Sequence, residues 1–201
     1  MLYILFRSAA IRSSAVVVAI ALRATPATGA EWKVETSIGV RATLTDNVGL
    51  NPPGEEDADF YTQITPAIRA TRNGARLRAS VAYAPSAFLY ASSSEENSWA
   101  HSLAATANLE AVPDFFFVDA SATVSQTFLT PFGALPVDLG NVTENRTEAY
   151  GLTVSPYIRG QFGQTGSYEV RNRTSYAATD SDLTNGSTYV SSSARASTEF
   201  T

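Results

Sequence analysis

The sequence predicts an all-β protein: an antiparallel, up-and-down transmembrane β-barrel with about eight strands present. Three observations lead there. Apolar and polar residues alternate with a period of two along most of the chain, as in strands with one dry and one wet face. Long and short connections take strict turns, which sorts every long loop to one end of the sheet. Aromatic residues gather near the strand ends, where amphipathic rings favour a membrane–water boundary. Composition agrees. Only 16% of the 201 residues are charged, against about a quarter in soluble domains. There is no cysteine, which excludes disulfides, thiolate metal sites and thiol nucleophiles. The formal net charge of −5 leaves no basic patch for phosphates, so nucleic acid is excluded as a principal partner.

The elements follow in order. Arg7 and Arg12 precede the apolar run Ala15–Leu22, and Thr28-Gly29-Ala30 offers small residues before Glu31. That is the layout of a signal peptide over residues 1–30. The run is shorter than the roughly 20 residues of a membrane helix. Removing 1–30 takes three arginines and no acid, so the net charge falls from −5 to −8. Residues 31–201 then form the barrel domain. Its first strand sets Trp32, Val34, Thr36, Ile38, Val40, Ala42 and Leu44 against Lys33, Glu35, Ser37, Gly39, Arg41, Thr43 and Thr45. The second carries Phe60, Ile64, Pro66, Ile68 and Ala70 on its apolar side. Asn73-Gly74, a strong hairpin signal, leads to Leu77, Ala79, Val81 and Tyr83. A fourth strand runs through Trp99, His101, Leu103, Ala105, Ala107 and Leu109. After the Pro113-Asp114 turn come Phe116, Val118, Ala120, Ala122 and Val124, then a sixth strand with Tyr150, Leu152, Val154, Pro156 and Ile158. Tyr168 and Val170 mark a seventh. An eighth, Tyr189 to Phe200, has little alternation.

Turns at Arg72–Ala75, Val112–Asp114 and Gly160–Gln164 are short, whereas Asp46–Asp59, Ser92–Ser98, Gln126–Arg146 and Ala177–Thr188 are long and polar. A Greek-key sandwich has no reason to sort its loops in this way. Several alternating runs reach the 9–11 residues that a tilted membrane strand needs, beyond the 5–6 usual in soluble sheets. The apolar side is therefore expected to face lipid, through Trp32, Val34, Ile38, Val40, Leu44, Val81, Leu103, Val118, Leu152 and Val154. The polar side is expected to face the lumen, through Lys33, Glu35, Arg41, Arg69, Arg76, Arg78, Asp119, Glu169, Arg171 and Arg173. Charges there set selectivity in an open pore, or pair to fill a closed one.

Six segments carry a resemblance: "TDNVGL" with "PPGEEDADF", "ITPAI", "FFFVDASATVSQ", "PFG", "NVTENRTE" and "SPYIRGQFG", in order along residues 45–163. With them the chain resembles the outer-membrane β-barrel proteins associated with PEP-CTERM/exosortase and exopolysaccharide systems. The resemblance implies a Gram-negative outer-membrane barrel linked to exopolysaccharide export, with outer-membrane lipid and the polysaccharide or its export machinery as partners. Members of that family look longer, which makes this chain resemble the N-terminal part of a larger barrel.

Residues that carry chemistry are few. His101 is the single histidine, and no nucleophile motif surrounds it, so no enzyme reaction, catalytic residue or cofactor is expected. Glu55, Glu56, Asp57 and Asp59 could offer oxygen ligands to a hard cation, but a charge run is ordinarily a solvated loop; no metal site is expected. Asp180-Ser-Asp182 with Asn185-Gly186 lacks the closing glutamate of a calcium loop. Asn-x-Ser/Thr triplets begin at Asn141, Asn145, Asn172 and Asn185, and Asn172 falls inside a predicted strand. Two other classes compete with the barrel: a soluble secreted β-sandwich that binds carbohydrate through its loops, and a lipid-modifying barrel enzyme built on His101.

Overall fold

A computed structural model describes residues 15–22, 32–133, 136, 138–163, 166–180 and 187–200. Its strands are β1 (Ala15–Leu22), β2 (Trp32–Thr45), β3 (Asp59–Asn73), β4 (Leu77–Tyr83), β5 (Ser86–Tyr90), β6 (Ser98–Ala100), β7 (Leu103–Val112), β8 (Phe116–Phe128), β9 (Arg146–Phe162), β10 (Gly166–Asp180) and β11 (Ser187–Phe200). All belong to one antiparallel sheet in the order β1-β2-β3-β4-β7-β8-β9-β10-β11, with β5 and β6 continuing off β3. Neighbours along this order are consecutive in sequence except β4 and β7, whose pairing β5 and β6 extend toward the loop end, so the chain runs up and down. Among the described residues β1 and β11 do not pair, and the sheet is open.

All eight predicted strands are present, and two of them are interrupted. Tyr83 lies opposite Ile68 and Ala87 opposite Ile64, so β4 and β5 hold one register on β3. Leu103 opposite Tyr83 and Ala100 opposite Ser86 make β6 and β7 a second continuous path. The break at Ala84-Pro85 has a plain cause. Proline donates no ladder hydrogen bond, and the shared register sets Pro85 across from Pro66. Ala84 N bridges the gap to Ser102 O at 2.9 Å.

The short turns have local reasons. Gly74 N donates to Leu77 O at 2.9 Å. Asp114 takes a φ of 57°, a left-handed conformation that aspartate tolerates better than most residues, and its N–H donates to Glu110 Oε1 at 2.6 Å. A register shift between Glu110 and Val112 bends β7 just before this turn. Ala15–Leu22, expected as the apolar core of a signal peptide, is a strand on the β2 edge, with Val18 opposite Val40. The rest of residues 1–30 lies outside the described residues.

The register aligns the faces. Leu44, Val40, Ile38, Val34 and Trp32 of β2 lie opposite Phe60, Ile64, Pro66, Ala70 and Arg72 of β3. One hydrogen-bonded row then passes through Ile68, Tyr83, Leu103, Val124, Tyr150 and Ala178. On β3 this row crosses near the turn end of the apolar run, with Phe60, Ile64 and Pro66 above it. On β9 it meets only the upper end, with Leu152 to Phe162 still below. The apolar stripe therefore slants toward the short turns from β2 to β10.

Burial is uneven along the two faces. At the turn end of β2 and along Leu103–Asn108 of β7, the polar-face residues Lys33, Glu35, Thr106 and Asn108 are exposed and the apolar-face residues Trp32, Val34, Leu103 and Ala105 half-buried. Elsewhere large apolar side chains stand open. Leu44, Phe60, Ile68, Leu109, Leu152 and Val170, all on the apolar face, are exposed. The buried apolar side chains Tyr61, Phe88, Tyr90, Ala100 and Phe117 share the parity of the polar face, by their pairing with Thr43, Gln63, Tyr61, Ser86 and Tyr157. Phe88 has no exposed surface at all.

Candidate functional site on the polar face

The register puts nine of the ten expected lumen residues on one face. Lys33, Glu35 and Arg41 come from β2, and Arg69 and Arg78 from β3 and β4. Asp119 comes from β8, and Glu169, Arg171 and Arg173 come from β10. Arg76 immediately precedes β4, and its carbonyl accepts from Glu110 N at 2.7 Å, which carries the β4–β7 register one residue further. The ten residues expected on the apolar face, from Trp32 to Val154, all share that face.

The structure brings some of the charges together. Lys33 Nζ meets Glu35 Oε1 at 2.8 Å, in the open. Arg171 is gripped from two sides, by Asp119 Oδ2 at 2.7 Å and Glu169 Oε1 at 3.0 Å. Asn108 Nδ2 donates to the other oxygen of Asp119 at 2.8 Å. Sequence parity alone does not anticipate the stack beside them. Phe117 and Tyr157 lie ring on ring at 5.0 Å, with Arg159 over Phe117 at 4.1 Å and Arg171 over Tyr157 at 3.8 Å. Cations over aromatic faces attract the ring quadrupole, so this stack ties β8, β9 and β10 together on their polar side. The available signal was Phe117, a large ring at a polar-face position. Below the stack, toward the short turns, a groove of about 990 Å³ is lined by Arg159, Gln161, Ser167, Glu169, Ser197 and Glu199.

The other end of the face is covered. The β8–β9 loop runs from residue 129 to 145 and crosses to β2, four steps away along the sheet. That is roughly 19 Å on a flat sheet. Arg41 donates to Asp138 Oδ2 at 3.0 Å. Tyr90 OH donates to Gly140 O at 2.7 Å. Val142 N donates to Val48 O at 2.9 Å, and Asn141 Nδ2 reaches the same carbonyl at 3.4 Å. Beneath the loop, Val48, Tyr61, Phe88, Tyr90 and Ala100 form the buried cluster, with Val142 packed on it. Gly140 lies so close to the Tyr61 ring that any side chain there would collide with it. Within the loop, Asn145 holds Thr130 through both amide atoms, and Arg146 caps Leu139 O. A loop that touches a strand four steps away makes the polar face concave.

His101 stands on the other face. Its Nδ1 lies 2.9 Å from Tyr83 OH, and the two rings stack. Glu148 accepts from His101 N at 2.8 Å, from Gln126 Nε2 at 3.0 Å and from Tyr150 OH at 2.8 Å. The carboxylate thus reaches the backbone of His101 and not its ring, so the carboxylate–imidazole coupling of a Ser–His–acid centre is not formed. These groups make a polar rim at the upper edge of the apolar stripe.

The acidic loop divides. Glu56 Oε2 accepts from Gly54 N at 2.6 Å. Asp59 is buried and accepts from the N–H groups of Phe60, Ser92 and Ser93 at 2.7, 3.0 and 3.1 Å. Its carboxylate therefore tethers the next long loop to the start of β3. Residues 181–186, the remainder of the Asp180–Gly186 stretch, lie outside the described residues. Among the described residues no three histidine, aspartate or glutamate side chains group as a metal would require. No protein-family model, curated protein or solved structure matches the chain.

Proposed function

We propose that this chain forms the wall of an outer-membrane β-barrel, a structural or channel component of the cell envelope without enzymatic activity. One observation carries the reading: Leu44, Phe60, Ile68, Leu109, Leu152 and Val170 stand exposed on the apolar face, while the buried cluster lies on the charged face. Water disfavours an exposed apolar face of this extent, and lipid favours it. The dimensions agree. The apolar run from Phe60 to Ala70 on β3 is about 33 Å long at about 3.3 Å per residue. Tilted by about 45°, it projects to about 23 Å, close to the roughly 25 Å band of known barrels.

A membrane sheet tolerates no open edge, so the free edges of this one are closed in the barrel by strand pairing. Export requires removal of residues 1–30, which would take β1 off the β2 edge. The resemblance to exopolysaccharide-associated barrels supplies the setting: polysaccharide export or surface assembly, with lipid and that machinery as partners. The soluble carbohydrate-binding sandwich requires the apolar faces to pack against each other, and among the described residues no second sheet packs on them. The lipid-modifying enzyme lacks the coupled acid and imidazole.

Fractionation tests the reading. The full chain should stay with membranes after carbonate washing, need detergent for extraction, and change gel mobility on heating. Release into aqueous buffer would refute it.

A further inference from the structure

We propose that the loop of residues 129–145 is an internal plug, latched to β2, β3 and β5, that limits passage to small hydrated solutes while it stays seated. The proposal rests on the barrel reading above. The polar face is concave, and the loop crosses it instead of standing away from the sheet as a free surface loop would. A barrel of about eight strands has an interior barely wide enough for its own side chains. Even in a wider barrel, a folded segment across the mouth bars an extended polymer.

The latch has three separable parts. Arg41 and Asp138 form an ion pair between the loop and the β2 wall, at 3.0 Å and partly open to solvent. Val142 hydrogen-bonds along the Val48 backbone and packs on the buried cluster. Gly140 allows the loop to lie on Tyr61, because a side chain there would collide with the ring. Among the described residues the turn end carries no such cover but an open groove of about 990 Å³. Surface ion pairs are individually weak, so the pair is suited to release, whereas Gly140 and Val142 set how closely the loop seats.

Single-channel recording in planar bilayers tests this on the full exported chain. Gly140→Val and Asp138→Asn should each raise unit conductance or open time severalfold over the native protein. The chain has no cysteine, so a Val48→Cys/Val142→Cys pair would form a unique disulfide; oxidation should abolish openings and reductant should restore them. Thr43, buried beside Tyr61, gives a second readout. Thr43→Cys should react slowly with a bulky water-soluble maleimide, and faster when Asp138→Asn is added. Protein that inserts and is heat-modifiable, yet conducts and labels alike in all variants, overturns the plug and leaves the barrel standing. Protein that never inserts overturns the barrel and the plug with it.

Discussion

Leu152→Arg separates lipid from water as the neighbour of the apolar face. Leu152 is 47% exposed and lies between Ala122 of β8 and Tyr176 of β10. In water such a site accepts arginine readily: exposed substitutions stay within about 0.5 kcal/mol, and the arginine stem covers part of the apolar surface lost. In a bilayer the same guanidinium sits two residues inside the upper edge of the apolar stripe, at a cost of about 1–2 kcal/mol, between the roughly 0–1 kcal/mol of the interface and the roughly 2–4 kcal/mol of the midplane. That is about a 5- to 30-fold loss in the folding equilibrium at about 1.4 kcal/mol per decade. The assay is urea unfolding in lipid vesicles, with the folded fraction read by gel mobility. Thr106→Arg is the control, since Thr106 is exposed on the polar face between Ser80 and Ser121. The control should change stability by less than about 1 kcal/mol. If both variants unfold at the same urea concentration in vesicles, lipid does not touch Leu152, and the reasoning fails.

Two further outcomes follow. Phe88→Ala removes a side chain with no exposed surface from the cluster under the loop; it should cost about 3–5 kcal/mol, and a loss below 1 kcal/mol in denaturant titration would mean that the cluster is not a packed core. If the chain forms an outer-membrane barrel, loop sorting puts 46–59 and 126–146 outside the cell, and Asn73-Gly74 and Pro113-Asp114 in the periplasm. A cysteine at Phe132, which is 97% exposed, should therefore label on intact cells with an impermeant maleimide, while one at Asp114 should not, and the reverse pattern would invert the topology.

Local pattern made much of the sheet legible. The alternation in Trp32–Thr45 or Phe116–Val124 is a direct print of the pleat, and the register joins those prints into two coherent faces. Parity also carried the charged residues of the strands to a common side. What escaped is what depends on curvature. Phe88 and Tyr90 look like strand-end aromatics in sequence and Tyr61 like one more polar-face residue, because nothing local reveals that a loop from four strands away will cover them. Asp138 meets Arg41 across 97 residues, a separation no spacing rule addresses. The Ala84-Pro85 break was readable only as a proline; its harmlessness depends on the unbroken register of β5 and β7 around it.

The slant of the apolar stripe has a consequence for how the mouth of such a barrel would be approached. Level the stripe in a bilayer, and the rim has uneven height. β2 and β3 end almost at the lipid, with Leu44 and Phe60 next to their last residues, while β8 and β9 continue above Tyr150 through Gln126, Glu148 and Arg146. The wall then resembles a spout with a low lip at β2–β3 and a raised back at β8–β9. The crossing loop descends from the back to the lip. A polymer lying along the cell surface would meet the opening sideways, over the low lip, and would encounter the acidic loop of Glu55, Glu56 and Asp57 first.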